Sequence, residues 1–179
     1  LSADKASVTG AWGHSTGTAK SYTTAVNGTD DDFLYQKQRE IAGDYKFTVP
    51  NGSYIVTLKF AEFSVTTSAA RLMTISFEGV LRETFSVYGL VGSYTALDKT
   101  YSVTVSDGVL NITFAKGSGA KSTPAVSAIE VKSAGPTPTP TPTNTPCLTC
   151  PTNTPTPTRT PTMTPTPTFT PLPYVQRVN

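Results

Sequence analysis

Residues 44–62 read DYKFTVPNGSYIVTLKFAE, and this stretch decides the fold class. Apolar residues alternate with polar ones over 45–49 and again over 54–60, on either side of Pro50-Asn51-Gly52. Alternation of period two is typical of strands with one buried face, and Pro, Asn and Gly together favour a turn. The stretch therefore predicts a β-hairpin.

A second hairpin is predicted further along the chain. Alternating apolar residues at 101–105 and 110–114 flank the turn dipeptide Asp107-Gly108. In the second of these strands Asn111 falls on the face opposite its apolar neighbours, so this side chain is expected to point outward.

The remaining pattern is also that of strands. Glu78-Gly79 marks a turn between 72–77 and 81–87, and residues 126–131 predict a last strand. Apolar residues spaced three and four apart are absent from every longer stretch, so helices are expected to be absent or single turns. Many short strands with turns between them predict an all-β fold, a β-sandwich or jelly roll.

Composition divides the chain of 179 residues into three parts. All 15 prolines except Pro50 and Pro124 lie within 136–173, and every Asp and Glu lies at or before Glu130. We therefore expect a β-sandwich over 1–134, large enough for one core, an extended Pro/Thr-rich linker over 135–173, and a β-strand over 174–179. This division argues against a two-domain enzyme.

Charge and hydropathy exclude two classes of partner. The net charge of +2 gives no electrostatic case for nucleic acid. No apolar run approaches the roughly 18 residues of a membrane span. The first residues carry no signal-peptide pattern, so we expect any leader to have been removed or to lie outside this sequence.

The Pro/Thr linker favours an extracellular or cell-surface location, because alternating Thr and Pro is the composition of O-glycosylated stalks. The candidate O-glycosylation sites are Thr137, Thr139, Thr141, Thr156, Thr158 and Thr166. Asn-x-Ser/Thr sequons at Asn27, Asn51 and Asn111 are candidates for N-glycosylation. Covalent glycans are therefore expected partners.

Both cysteines, Cys147 and Cys150, lie in the middle of the linker as Cys-Leu-Thr-Cys. Two thiols cannot fill a tetrahedral zinc site, and a thioredoxin-type pair needs a strand and a helix around it. In an oxidising compartment we expect a disulfide, either between the two or to a neighbouring chain.

Three features could carry chemistry, and each has a plainer interpretation that we favour. His14, the only histidine, lies in a small-residue loop and is expected to be a surface residue. Asp30, Asp31 and Asp32 lack the alternating spacing of a calcium loop and are expected to form a solvated acidic loop. Glu62 could be a general acid, but we expect it to pair with Arg39 or Arg71. No enzyme, metal or cofactor is predicted.

Four segments together resemble a known family. They are FLYQKQRE at 33–40, LKFAEF at 58–63, RLMTISFEG at 71–79 and PAVSAIEV at 124–131. In this order and spacing they resemble the malectin-like domain over roughly residues 12–132. The resemblance implies a carbohydrate-binding β-sandwich without catalytic activity or a required metal.

The chain departs from that family at its sugar contacts. The positions that correspond to three contact aromatics and one contact Asp of malectin are here Glu40, Ser64, Val65 and Ser122. None of the four keeps the family's side chain. Phe63, Tyr88 and Tyr94 are candidates for a different carbohydrate platform, although strand packing or core positions would also account for them.

By the same resemblance, we expect the family's first strand to be missing from the N-terminal part of this sequence. A segment of matching type stands at the C-terminus, YVQRVN, which comprises the candidate strand-donating residues Tyr174, Val175, Gln176, Arg177, Val178 and Asn179. Written cyclically, this segment followed by residues 1–12 restores the family order.

A missing strand leaves an open sheet edge that favours aggregation unless something fills it. The 38 residues of 136–173 would span roughly 120 Å as polyproline II, several times the width of the domain. We therefore expect the strand to fill the edge of a neighbouring copy, which builds a linear polymer. The alternatives are covalent tandem repeats, and a carbohydrate-binding module that the linker attaches to a secreted or surface enzyme, with polysaccharide as partner.

Overall fold

The computed structural model describes residues 5–7, 12–135 and 174–177. Its strands are β1 (Gly13–His14), β2 (Thr18–Ser21), β3 (Lys37–Glu40), β4 (Gly43–Thr48), β5 (Gly52–Phe60), β6 (Met73–Phe77), β7 (Val80–Phe85), β8 (Leu97–Val105), β9 (Val109–Lys116), β10 (Ala125–Val126), β11 (Ala128–Ser133) and β12 (Tyr174–Arg177). Its helices are α1 (Asp32–Gln36) and α2 (Val87–Val91).

Two antiparallel sheets form a β-sandwich around one main core. The five-stranded sheet has the order β1-β4-β9-β6-β7, and the four-stranded sheet has the order β12-β11-β5-β8. A third, smaller sheet has the order β10-β3-β2. The predicted all-β sandwich is therefore confirmed.

The core forms because each central strand buries every second residue. In β5 the buried residues are Tyr54, Val56, Leu58 and Phe60, which pack with Leu110, Ile112 and Phe114 of β9. Burying one such side chain contributes about 1.5–3 kcal/mol. The alternation read from the sequence is thus the alternation between core and surface.

The two predicted hairpins are wrong in their pairing. β4 pairs with β1 and β9, whereas β5 pairs with β8 and β11, so the turn at 50–52 carries the chain from one sheet to the other. The same holds for β8 and β9 across Asp107-Gly108. Strands that face each other across a sandwich and strands paired in a hairpin bury the same alternate residues, so period two cannot distinguish them. The two crossing turns touch, since Val49 N–H donates to the Gly108 carbonyl at 3.0 Å.

The predictions of the third turn and of short helices agree with the structure. β6 and β7 form the expected hairpin across Glu78-Gly79, whose φ angles of 50° and 72° are those of a tight turn. The helices α1 and α2 are single turns of five residues. Neither helix in the described part of the chain has the length and apolar character needed to cross a membrane.

The predicted last strand is divided in two at Ser127. β10 pairs with β3, and β11 pairs with β5, so the chain changes sheets at this residue. Ser127 is fully buried, and its hydroxyl donates to the Tyr35 carbonyl and accepts from Gln38 Nε2. These hydrogen bonds satisfy the polar group that the change of sheet buries.

Candidate functional site

The C-terminal strand β12 occupies the edge of the four-stranded sheet. It pairs antiparallel with β11, with Tyr174 opposite Val131 and Gln176 opposite Ile129. Val131 and Ile129 both belong to the main core. The predicted strand thus exists, and it lies on β11 of its own chain. Val178 and Asn179 fall outside the described residues, as does 136–173.

The described residues that flank the linker lie near the beginning of β5. Tyr174 is opposite Val131 of β11, and the Ala134 N–H, just before the linker, donates to the Ser53 carbonyl at 2.8 Å. Ser53 is at the beginning of β5. The 38 residues of 136–173 therefore connect two points only a few ladder rungs apart.

Three aromatic side chains form a contiguous surface at the opposite end of β5, and we call Tyr22, Phe63 and Tyr94 the aromatic surface. The rings of Tyr22 and Phe63 are stacked, with centroids 4.2 Å apart and planes 5° apart. The rings of Phe63 and Tyr94 lie 5.8 Å apart. Tyr94 is 40% exposed and the other two are half-buried, so the rings can be reached by a ligand.

Each ring is positioned by a different element. Phe63 follows the end of β5, and Tyr22 follows the end of β2, where its hydroxyl lies 2.9 Å from Ser64 Oγ. Tyr94 has a φ of 54°, in the left-handed region that non-glycine residues seldom adopt. Its N–H donates to the Glu62 carbonyl and its carbonyl accepts from the Asn27 N–H, which hold this conformation. Such strained residues cluster at ligand sites.

The structure brings together two of the three predicted platform residues, Phe63 and Tyr94. Tyr88 lies in α2, half-buried, and within the described residues its ring contacts neither of them. Sequence reasoning missed Tyr22. Only its position directly after an exposed, polar strand could have suggested it.

Glu62 is a structural residue, as expected. Its side chain is 1% exposed, and its carboxylate lies 3.0 Å from Arg71 Nη1, which is 3% exposed. Glu62 Oε1 also accepts from the N–H groups of Ser64 and Val65, at 2.8 and 3.2 Å. Arg71 Nη2 donates to Glu40 Oε1 at 2.8 Å. The network fixes the loop that carries the aromatic surface.

The four positions that correspond to the family's sugar contacts make contacts within the protein or are buried. Glu40 binds Arg71, Ser64 contacts Tyr22, and Val65 is buried. The N–H of Ser122 donates to the Ala70 carbonyl.

His14 and two of the three aspartates take structural positions, whereas Asp30 is exposed. His14 belongs to β1, so its expected position in a loop is wrong, and its half-buried ring meets Tyr45 edge-on at 5.8 Å. Asp31 caps α1 by accepting from the Leu34 N–H, and Asp32 accepts from the Val26 N–H. Within 5–7, 12–135 and 174–177 no three metal-ligating side chains come together.

The three sequons differ in what their amides do. Asn51 Nδ2 donates to the Ser106 carbonyl at 2.9 Å, and Asn111 Nδ2 donates to the Val109 carbonyl at 3.1 Å. Asn27 is exposed, and its side chain forms no hydrogen bond with any described residue. The six candidate threonines, Cys147 and Cys150 lie outside the described residues.

A further exposed aromatic residue, Phe33, lies in α1. Phe33 is 53% exposed and lies 5.2 Å below Lys37 Nζ. These two residues line a shallow concavity of about 330 Å³ together with Ala19, Lys20 and Ser21 of β2.

Comparison with families and curated proteins gives one match. The family model of the Malectin domain matches residues 2–129. None of the curated protein sequences matches the chain significantly.

Solved structures share the fold. β-Glucuronidase from Bacteroides uniformis is 29% identical with a TM-score of 0.65, and the match covers 73% of this chain and 15% of that one. The extracellular domain of ANXUR2 from Arabidopsis thaliana is 13% identical with a TM-score of 0.59, covering 69% and 41%. The plant receptor-like kinase ANX2 is 13% identical with a TM-score of 0.58, covering 68% and 39%. This chain therefore spans well under half the length of each.

Proposed function

This chain belongs to the malectin domain family, and from that premise we propose that it is a non-catalytic extracellular subunit that polymerises by exchanging its C-terminal strand. The strand 174–179 of one copy fills the β11 edge of the next. Thr-linked glycans cover the connecting segment. The observation that carries the proposal is the β12–β11 ladder at the sheet edge.

The ladder supplies the binding energy of the exchange. Each backbone hydrogen bond contributes about 0.5–1.5 kcal/mol, and positions 174 and 176 stand opposite the core residues Val131 and Ile129. A strand from a neighbour makes the same contacts as a strand from the same chain. Whether β12 pairs within its own chain or with a neighbouring copy therefore depends on the linker, as it depends on the hinge loop in domain swapping.

The linker disfavours pairing within one chain. A hairpin joining β11 to β12 needs only about two to five residues, whereas 38 residues of Pro/Thr sequence lie between them. A Pro-rich segment is a semi-rigid spacer of about 3.1 Å per residue, so pairing within one chain requires this segment to bend back on itself. This favours a neighbouring copy.

Two observations support an extracellular location. The fold neighbour ANXUR2 is an extracellular domain, and the Thr-Pro repeats have the composition of O-glycosylated stalks.

Removal of the strand tests the function. Deleting residues 174–179 should give monomers of lower stability, and adding the peptide YVQRVN should restore stability without restoring polymers, as followed by thermal unfolding and electron microscopy. Scrambling the order of these six residues serves as a control, because it keeps length and composition. Normal assembly and an unchanged melting temperature in the truncated chain would contradict the proposal.

The aromatic surface favours a second candidate function, carbohydrate binding by a module attached through the Pro/Thr linker. Exposed aromatic rings can stack on the apolar faces of sugars, and the strained Tyr94 is the kind of residue that ligand sites contain. Tyr94→Ala should reduce retention on immobilised polysaccharides about ten-fold, and Phe33→Ala should not. Equal retention of both variants would exclude this surface as the sugar site.

A further inference from the structure

The strand β2 is an exposed edge strand. It is the last strand of the three-stranded sheet, next to β3, and all four of its residues are exposed. The Tyr22 N–H donates to the Gln36 carbonyl in the register of the β2–β3 ladder, and hydrogen-bonded pairs recur at every second residue of an antiparallel pair. The N–H and carbonyl groups of Ala19 and Ser21 therefore point away from β3, and no described residue hydrogen-bonds them.

A concavity with an exposed aromatic side chain lies beside these backbone groups. A short edge strand that carries a lysine is by itself a common protection against aggregation. Here, however, Ala19 and Ser21 line the concavity of about 330 Å³ together with Phe33, which is 53% exposed. When a peptide adds to a sheet edge, main-chain hydrogen bonds give affinity and pockets for alternate side chains give specificity. The edge of β2 offers both.

Positive charge at the concavity selects the kind of peptide. Lys37 stands opposite Ser21 in the ladder, donates from Nζ to Ser21 Oγ and lies 5.2 Å from the Phe33 ring. Its ammonium forms no ion pair with any described residue. The carboxylates of Asp31 and Asp32, next to Phe33 in sequence, each accept a hydrogen bond from a backbone N–H. The concavity is therefore complementary to a negatively charged partner.

We propose that β2 binds an extended acidic segment of another protein by strand addition. The added strand pairs with the backbone of Ala19 and Ser21, and it places an apolar side chain against Phe33 and a carboxylate at Lys37. The C-terminal part of this chain does not match, because residues 131–179 contain no Asp or Glu. The inference does not depend on strand exchange, since β2 and β11 belong to different sheets.

A synthetic peptide tests the proposal on the full chain. The probe is the fluorescein-labelled peptide TETFTET, whose Glu and Phe side chains share one face when the peptide is extended. We expect saturable binding by fluorescence anisotropy, and binding about ten-fold weaker for the charge-reversed peptide TKTFTKT. Lys37→Glu and Phe33→Ala should each weaken binding of TETFTET about ten-fold. Lys46→Glu, which changes an exposed lysine of β4, is the charge-matched control and should not.

Two further changes test whether the backbone of β2 takes part. Ala19→Pro removes an outward N–H and leaves the hydrogen bonds between β2 and β3, and edge strands tolerate Pro where the N–H faces solvent. It should weaken binding about ten-fold, whereas Ala19→Val keeps the N–H and should not. Alternate N–H groups of an extended peptide point to opposite sides. N-methylation of one alternate set in TETFTET should therefore abolish binding, and methylation of the other set should preserve it.

Three results would overturn the proposal. The first is equal binding of the two N-methylated peptides, or binding by Ala19→Pro that equals wild type, with circular dichroism showing each variant folded. The second is no saturable binding of TETFTET at millimolar concentration. The third is binding of sodium polygalacturonate that depends on Lys37 in a chain that does not bind the peptide, because the concavity would then be a site for acidic sugars.

Discussion

At the scale of single residues, Arg71 joins two acidic side chains from different segments. It contacts Glu62, which follows β5, and Glu40 at the end of β3. A buried charge is costly unless it is paired, so this arginine and its partners hold the loop after β5 in place. The charge pair was foreseeable because Glu62 stood at the end of an apolar strand and needed a cation.

We predict that Glu62→Gln lowers the free energy of unfolding by about 3–5 kcal/mol, because it leaves the buried Arg71 guanidinium without its main counter-charge. The retained contact with Glu40 places the loss toward the lower end. Urea unfolding measures it. As the control, Lys132→Met breaks the partly exposed pair with Glu130 and should cost no more than about 1 kcal/mol. If Glu62→Gln lowers the free energy of unfolding no more than Lys132→Met does, the network is dispensable.

The sequence predicted only two of the three residues of the aromatic surface. Phe63 could be nominated because it follows a strand in a family-like segment, and Tyr94 because it lies in a loop. The ring contacts join Tyr22 to Phe63, 41 positions apart, and Phe63 to Tyr94, 31 positions apart, and the strain at Tyr94 comes from hydrogen bonds to Glu62 and Asn27. Neither the ring contacts nor the strain at Tyr94 can be predicted from neighbouring residues in the sequence.

At the scale of elements, β7 and β8 join the two sheets along one side of the sandwich. Glu83 of β7 accepts hydrogen bonds from Lys99 and Tyr101 of β8. Partial burial alone would raise the pKa of the Glu83 carboxyl, but these hydrogen bonds and the charge of Lys99 outweigh burial and hold the pKa below its usual value. Burial and the hydrogen bond to Glu83 raise the pKa of Tyr101.

This contact predicts a pH dependence of stability. Because the pKa of Glu83 is lower in the folded state, its contribution is fully present above the unfolded value of 4.5 and is lost as the pH falls through the folded value. Glu83→Gln should flatten the decline in stability below that pH, as measured by urea unfolding across the acid range. Glu130→Gln, which removes another half-buried carboxylate, is the control. An identical acid profile for wild type and Glu83→Gln would refute the assignment.

The positions of the strands were more predictable than the pairing between strands. The alternation at 54–60 located β5 because a strand buries alternate residues whatever it pairs with. Its assignment to a hairpin with β4 failed because pairing is decided by contacts distant in sequence, with β8 and β11. The division of the last strand at Ser127 has the same origin, since β10 and β11 pair in different sheets.

At the scale of the whole molecule, glycosylation should follow the geometry of the acceptors. Native protein should exceed its polypeptide mass of 18.9 kDa by hexose-type increments on threonines of 136–173. If Asn-linked glycans are present, Asn27 should carry more than Asn51 or Asn111, whose amides donate hydrogen bonds. Intact-mass and glycopeptide analysis decide this, and an unmodified mass would refute the prediction for the threonines.

The most direct measurement of strand exchange is a disulfide placed across the ladder. Glu130 and Val175 stand opposite each other in β11 and β12, and directly opposed residues are close enough to be bridged. In a chain carrying Cys147→Ser and Cys150→Ser, the pair Glu130→Cys with Val175→Cys should oxidise. Glu130→Cys with Gln176→Cys is out of register and serves as the control. Exchange between copies predicts a ladder of covalent oligomers on a non-reducing gel, and a cross-linked band confined to the monomer would contradict it.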